Sequence, residues 1–165
     1  MPTIRPELPM DIPAIAQVLA TSFPSPEEAE LVKLLRKNGH LSISLVAEDQ
    51  GMIVGHIAFS PVTVDGKASG LGLAPVAVVP DFQSLGIGSM LVEEGLNFAK
   101  AGPAGYVVVL GHAHYYPRFG FKAAKPLGYS NEYDADESFM ILELKQGGLP
   151  PRGLIKYGSE FGAWS

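Results

Sequence analysis

One segment constrains this chain more than any other: Val76-Ala77-Val78-Val79-Pro80-Asp81-Phe82-Gln83-Ser84-Leu85-Gly86-Ile87-Gly88-Ser89. An apolar, β-branched strand runs into a turn, and two glycines one residue apart open a helix. The first amides of a helix have no acceptor within it, they converge on one point, and the helix dipole favours negative charge there. Glycine lets a ligand approach backbone that a side chain would cover. The segment therefore reads as an anion cradle, with a tight packing turn as the alternative. A dinucleotide fingerprint would need glycine where Leu91 stands, and a Walker-type phosphate loop would need Gly-Lys-Ser/Thr where Gly88-Ser89-Met90 stands. No G-x-S-x-G elbow or H-E-x-x-H pair occurs.

Composition narrows the class. The 165 residues are 47% hydrophobic and 18% charged, as expected of one folded domain spanning 1–165. The absence of cysteine excludes disulfides, a thiolate nucleophile, iron–sulfur clusters and cysteine zinc sites. A net charge of −5 argues against nucleic-acid binding, which needs clustered Lys and Arg. The longest apolar runs, 73–79 and 106–110, fall far short of the ~20 residues of a membrane-spanning helix. The first residues lack a signal-peptide pattern, so a cytoplasmic location away from membranes is expected.

The chain order gives the architecture. Ile12, Ile15, Ala16, Leu19 and Phe23 share one helical face, with Asp11 placed to cap. Ser25-Pro26-Glu27-Glu28 starts a second helix in which Glu28 closes a capping box, Leu31, Val32, Leu34 and Leu35 form the apolar side, and Asn38-Gly39 is the stop. A hairpin follows, turning at Asp49-Gln50-Gly51. Next come a strand over 71–79, a helix over 84–100 with Ile87, Met90, Leu91 and Phe98 inward, and a strand over 106–110. A helix-length crossover makes this a βαβ unit with parallel strands. Short strands at 121–124 and 139–144 follow, and the weakly patterned tail 147–165 offers an edge strand near Leu154 to Tyr157. The fold class expected is mixed α/β, a single domain with a central twisted mixed sheet and flanking helices.

Gln83-Ser84-Leu85-Gly86-Ile87-Gly88 resembles the Gln/Arg-x-x-Gly-x-Gly/Ala signature of the GNAT superfamily of N-acetyltransferases, and Tyr116-Pro117-Arg118-Phe119-Gly120-Phe121 resembles its second landmark, Tyr-x-x-x-Gly-Phe. The element order from Thr3 to about Leu144 is also that of the family, with the last twenty residues outside the resemblance. No metal is expected, since His112 and His114 have no recognisable third ligand and the chain has no cysteine. The resemblance implies acetyl-CoA as cosubstrate. Its pyrophosphate would sit on the amides of Ser84, Leu85, Gly86, Ile87, Gly88 and Ser89, in a loop shaped by Gln83. Its pantetheine arm would run beside the strand at Val76, Ala77 and Val78, with backbone bonds from Val76 and Val78. The Val76 amide would face the thioester oxygen. The implied reaction is direct attack of a neutral amine of a small molecule on the thioester, with Tyr116 protonating the departing thiolate. Aromatic packing of Tyr115, Tyr116, Phe119 and Phe121 is the other reading of that tyrosine.

Departures from the pattern matter too. Some family members carry a glutamate base on the central strand, where this chain has Gly72; Val109 replaces a common asparagine, and Leu85 a common basic residue. His112 is then the nearest candidate base, with His114 beside it. Glu132 and Asp134 are candidates to line an acceptor pocket, as are Phe23, Tyr129, Tyr133 and the tail ending in Trp164. The chain is expected to be a monomer or homodimer. The rival reading is a non-catalytic acyl-CoA-binding sensor that retains the cofactor loop without an acceptor base.

Overall fold

The computed structural model describes residues 2–164, leaving aside the side chains of 163 and 164. A mixed sheet carries the fold, in the order β1 (Thr3–Pro6), β2 (Ile43–Asp49), β3 (Met52–Val64), β4 (Lys67–Val78), β5 (Tyr106–Leu110), β8 (Phe139–Glu143) and β6 (Lys122–Ala123). β7 (Tyr129–Asn131) pairs with β9 (Gly153–Tyr157), and β9 pairs antiparallel with Val62–Val64 at the far end of β3. The tail is thus part of the sheet. It continues the edge of β3 where β2 leaves off.

Helices α1 (Ile12–Ser22), α2 (Glu27–Lys37) and α3 (Ile87–Ala101) cover the sheet. In α1 the buried residues are Ile15, Val18 and Leu19, while Ala16 is exposed. Asp11 does not cap α1 through its side chain. Its carboxylate accepts the Leu8 N–H at 2.7 Å and pairs with the Arg5 guanidinium at 2.7 Å, fixing the turn before the helix. That contact, led by the Arg5 hydrogen bonds, holds the Asp11 carboxyl below the usual carboxylate range.

In α2, Leu31, Val32 and Leu35 are buried and Gly39 closes the helix with φ +74. The expected capping box is absent: Ser25 Oγ accepts the Glu27 N–H at 3.3 Å, and Glu28 takes no part. Helix α3 begins at Ile87, three residues later than expected, because Ser84 and Gly86 take left-handed φ of +66 and +86. Its core face is Ile87, Leu91, Val92, Leu96 and Ala99, and Phe98, expected inward, is 42% exposed.

β3 and β4 form a second hairpin that the sequence reading did not resolve, turning at Asp65 and Gly66 with φ of +51 and +78. β4 is therefore antiparallel to β3 on one side and parallel to β5 on the other. The parallel pairing is brief, from Leu71↔Val107 to Gly72↔Val108. β4 then runs on to Val78 while β5 pairs with β8, so the two central strands part. No described helix is long and apolar enough to cross a membrane.

Candidate active site

The parting of β4 and β5 exposes one edge of β4, and its amides point to that edge in a set order. Val79 N–H bonds Val54 O at 2.9 Å on β3. By the two-residue alternation of a strand, Val76 and Val78 turn their backbone groups the other way, while Ala77 faces β3. The Val78 carbonyl accepts Ser22 Oγ at 3.1 Å and Gln83 Nε2 at 2.9 Å. Gln83 thereby folds the following loop back onto the end of the strand, and Ser22 ties α1 to the same point.

In that loop Gly86 needs glycine for its φ of +86, but Gly88 does not. Gly88 lies in α3 with ordinary φ, and a Cβ there would meet only Val78 Cγ2 at 4.0 Å. Protein packing therefore gives no reason for the second glycine; the space beside it faces outward, as an anion cradle requires. The loop from Gln83 to Gly86 is exposed, and buried Ile87 pins the first turn of α3 to the core. Ser89 Oγ lies 2.7 Å from Tyr115 Oη, joining this turn to the second landmark.

A cavity of about 610 Å³ lies against the same strand, lined by Leu73, Ala74, Pro75 and Val76 of β4, by Leu110 of β5 and by Tyr116. β4 is bulged there: Ile57 faces Val76 and Phe59 faces Leu73, so Ala74 and Pro75 together oppose Ala58. Tyr116 is buried in an aromatic cluster, edge-on to Tyr115 at 5.0 Å and to Phe121 at 5.8 Å. The ring also borders the cavity, so packing and site-lining hold together. Burial, reinforced by Tyr115, pushes its phenol up to about 12. The hydroxyl accordingly stays protonated throughout the neutral range.

Opposite walls come from α2 and the tail. Glu27, Glu28 and Leu31 line the cavity from α2, Phe23 from the end of α1, and Tyr157 and Phe161 from the tail. Tyr157 fills the space beside Gly72, since a Cβ on Gly72 would fall 2.6 Å from its ring. Its hydroxyl is buried with no hydrogen-bond partner among the described residues, and burial holds it well above the usual phenol range. Sequence reasoning missed Tyr157 and Glu28 as wall residues. The empty position at Gly72 was the signal that something else occupies that volume.

The remaining candidates are distributed differently. His112 and His114 are exposed and are not among the cavity-lining residues; the backbone carbonyl of His112 accepts the N–H of Tyr115 at 3.0 Å and of Tyr116 at 3.3 Å. Tyr129 is buried and donates to Pro150 O at 2.6 Å, a structural anchor away from the cavity. Tyr133 does line it, edge-on to Tyr157 at 6.0 Å. Glu132 Oε1 accepts the Tyr157 N–H at 3.2 Å, and Asp134 is exposed in a turn with φ +53. The Trp164 side chain lies outside the described residues. His40, at the end of α2, pairs with the buried Glu160 at 2.6 Å, and Asn38 donates to the same carboxylate at 2.8 Å, which locks the tail onto α2.

Comparison with known proteins agrees with this geometry. The family model "Acetyltransferase (GNAT) domain" matches residues 40–123. The chain is 38% identical to the uncharacterized N-acetyltransferase YhbS of Escherichia coli K12, over 96% of this chain and 97% of that one. It is 36% identical to the uncharacterized N-acetyltransferase YjhQ of the same organism, over 77% and 74% of the two chains. Among solved structures, E. coli YhbS in complex with CoA superposes with a TM-score of 0.93 at 37% identity, covering 99% of this chain and 93% of that one. A GNAT family acetyltransferase of Brucella melitensis in complex with acetyl-CoA superposes with a TM-score of 0.83 at 37% identity, covering 98% of each. The matches to YhbS and to the Brucella melitensis structure, which cover 96–99% of this chain, run into the tail, which the sequence reading had put outside the resemblance. The chain belongs to the GNAT family of acetyltransferases.

Proposed function

We propose that this protein transfers the acetyl group of acetyl-CoA to the amino group of a small molecule, by direct attack within a ternary complex. The observation that carries this reading is the continuity of β4: its bulge at Ala74 and Pro75 borders the cavity with Tyr116, and its open edge leads through Val78 into the glycine loop. In this reading the free amides from Ser84 to Ser89 hold the pyrophosphate and the β4 edge at Val76 and Val78 aligns the pantetheine arm. The Val76 N–H, beside the bulge, donates to the thioester oxygen, where negative charge develops as the amine attacks. The two known structures at 37% identity that hold CoA or acetyl-CoA support the choice of cosubstrate.

The chemistry conserves atoms simply. The neutral amine nitrogen bonds to the carbonyl carbon, the carbon–sulfur bond breaks, the nitrogen gives a proton to solvent water and the thiolate takes one from it, leaving the acetylated amine and free CoA. At about 12 the Tyr116 phenol is a weak acid, so its contribution is a hydrogen bond donated to the departing sulfur. The cavity walls hold the two reactants within reach of each other, which removes part of the entropic barrier to their reaction.

The test is a thermal melt with acetyl-CoA, with ATP and NAD as controls, on the native protein and on Gly88→Glu. The substitution adds helix propensity and places a negative charge at a helix N-terminus, so it does not impair folding. It fills the anion cradle with like charge. At ~100 times the dissociation constant acetyl-CoA stabilises by about 2.7 kcal/mol, or roughly 5–10 °C for a domain of this size. A shift with acetyl-CoA alone, lost in Gly88→Glu, is expected. No shift at saturating acetyl-CoA overturns the reading.

A further inference from the structure

Glu28 is the unexplained group of this fold. It sits in the first turn of α2, yet it caps nothing and forms no ion pair among the described residues. Its Oε1 is withdrawn from water and has no hydrogen-bond partner there, although a buried carboxylate oxygen without a donor costs about 1–3 kcal/mol or more. It lines the cavity bordered by Tyr116, whose charged lining residues, among those described, are Glu27 and Glu28. The rest of the described lining is aliphatic or aromatic, with Phe23, Leu31, Leu73 and Phe161 among it and no cation at all.

From this we infer that the cavity takes a primary amine bearing one positive charge on an apolar or aromatic body, with Glu28 accepting hydrogen bonds from its ammonium before the ammonium gives one proton to solvent water and the neutral amine attacks. The inference rests on the acetyltransferase reading of the same cavity. An ammonium in the cavity supplies the positive charge that no ion pair of the described residues gives the Glu28 carboxylate. The tyrosine rings around it favour a cation over a neutral head group. Two further arguments bound the class. A carboxylate on the acceptor would meet two glutamates and no basic side chain. A second ammonium at the far end of the ligand would be desolvated against apolar walls with nothing to pair it. The volume, about 610 Å³, suits a small molecule of this kind.

Three probes separate the cases: 2-phenylethylamine, L-phenylalanine, which adds a carboxylate to the same body, and putrescine, which has two charges and no apolar end. Each is titrated calorimetrically into the native protein, free and CoA-loaded, and into Glu28→Gln and Glu27→Gln. Native protein should bind 2-phenylethylamine at least about tenfold more tightly than either other probe. Glu28→Gln should weaken that binding by about tenfold or more, and Glu27→Gln by less than about threefold, with acetyl-CoA affinity equal in all. Equal binding in Glu28→Gln, preference for L-phenylalanine or putrescine, or no binding of 2-phenylethylamine to either form of the native protein overturns the inference. Should Glu28→Gln not fold, the ranking of the three probes on native protein still decides it. Failure of acetyl-CoA to bind would instead remove the transferase reading, and the titration of the free protein would decide Glu28 independently.

Discussion

The ring of Tyr157 stands where a side chain at Gly72 would project: a Cβ on Gly72 would lie 2.6 Å from Tyr157 Cε2 and 3.0 Å from Val62 Cγ1. Gly72 is also the last residue of β4 paired with β5, so this contact sits where the central strands part. The tail thereby supplies part of the cavity wall at a point where the central strand has no side chain of its own.

Gly72→Glu is expected to destabilise the protein by about 1–3 kcal/mol, because the added side chain must displace a fully packed ring. Tyr157→Ala alone leaves a void and costs roughly 3–5 kcal/mol. The double variant should be more stable than the sum of the two losses by about 1 kcal/mol or more, since the new side chain enters vacated space. Urea denaturation of the four proteins measures the coupling. Strict additivity would mean that the two positions do not compete for the same volume.

Tyr116→Phe keeps the ring and its edge-on contacts while removing the hydroxyl. Turnover should fall by about 10²-fold with acetyl-CoA affinity unchanged. Because the native phenol titrates near 12, no ionisation of Tyr116 should appear in the pH–rate profile at neutral or mildly alkaline pH. Unchanged turnover in the variant would take Tyr116 out of the reaction.

His56 is fully buried, and desolvation lowers its imidazole to about 4, outweighing the pull of Glu7. Ser44 donates to Glu7 Oε1 at 2.5 Å, since a carboxylate only accepts; it therefore accepts from His56 Nε2–H at 2.8 Å. Nδ1 is left buried without a partner among the described residues, and protonating it would add an unsatisfied donor. The folded pKa lies below the ordinary value of 6.5, so the unfolded chain binds more protons. The stability this group confers is complete above pH 6.5 and falls as pH drops toward 4. At pH 5 the loss should be about 2 kcal/mol. Urea titrations at pH 7.5 and 5 check this, with His56→Leu as the control in which that part of the slope disappears.

Much of the protein was legible along the chain. The helix over 87–101, the hairpin at Gln50-Gly51 and the glycine loop follow from periodicity and turn chemistry, which act between residues close in sequence. The open space beside Gly88, which supports the proposed cradle over a packing turn, shows only in the tertiary structure. Phe98 and Ala16 show the limit of periodicity: a helical stripe is wider than the face that meets the sheet, so its flanks are settled only by packing. The Asp65-Gly66 turn was a readable signal and places Lys67–Gly70 in β4.

By itself the sequence determined most of the elements and the strand–loop–helix segment at 76–89, because a strand end and a helix start are brought together by neighbours along the chain. The cavity was decided by tertiary structure alone. Glu28, Leu73, Tyr116 and Tyr157 lie far apart in sequence, and they share one site only because β4 parts from β5 and β9 joins the end of β3. Side chains that meet through strand pairing leave no spacing to read, and a glutamate placed like a helix cap becomes, once α2 packs against the tail, one of two charged groups lining an apolar cavity.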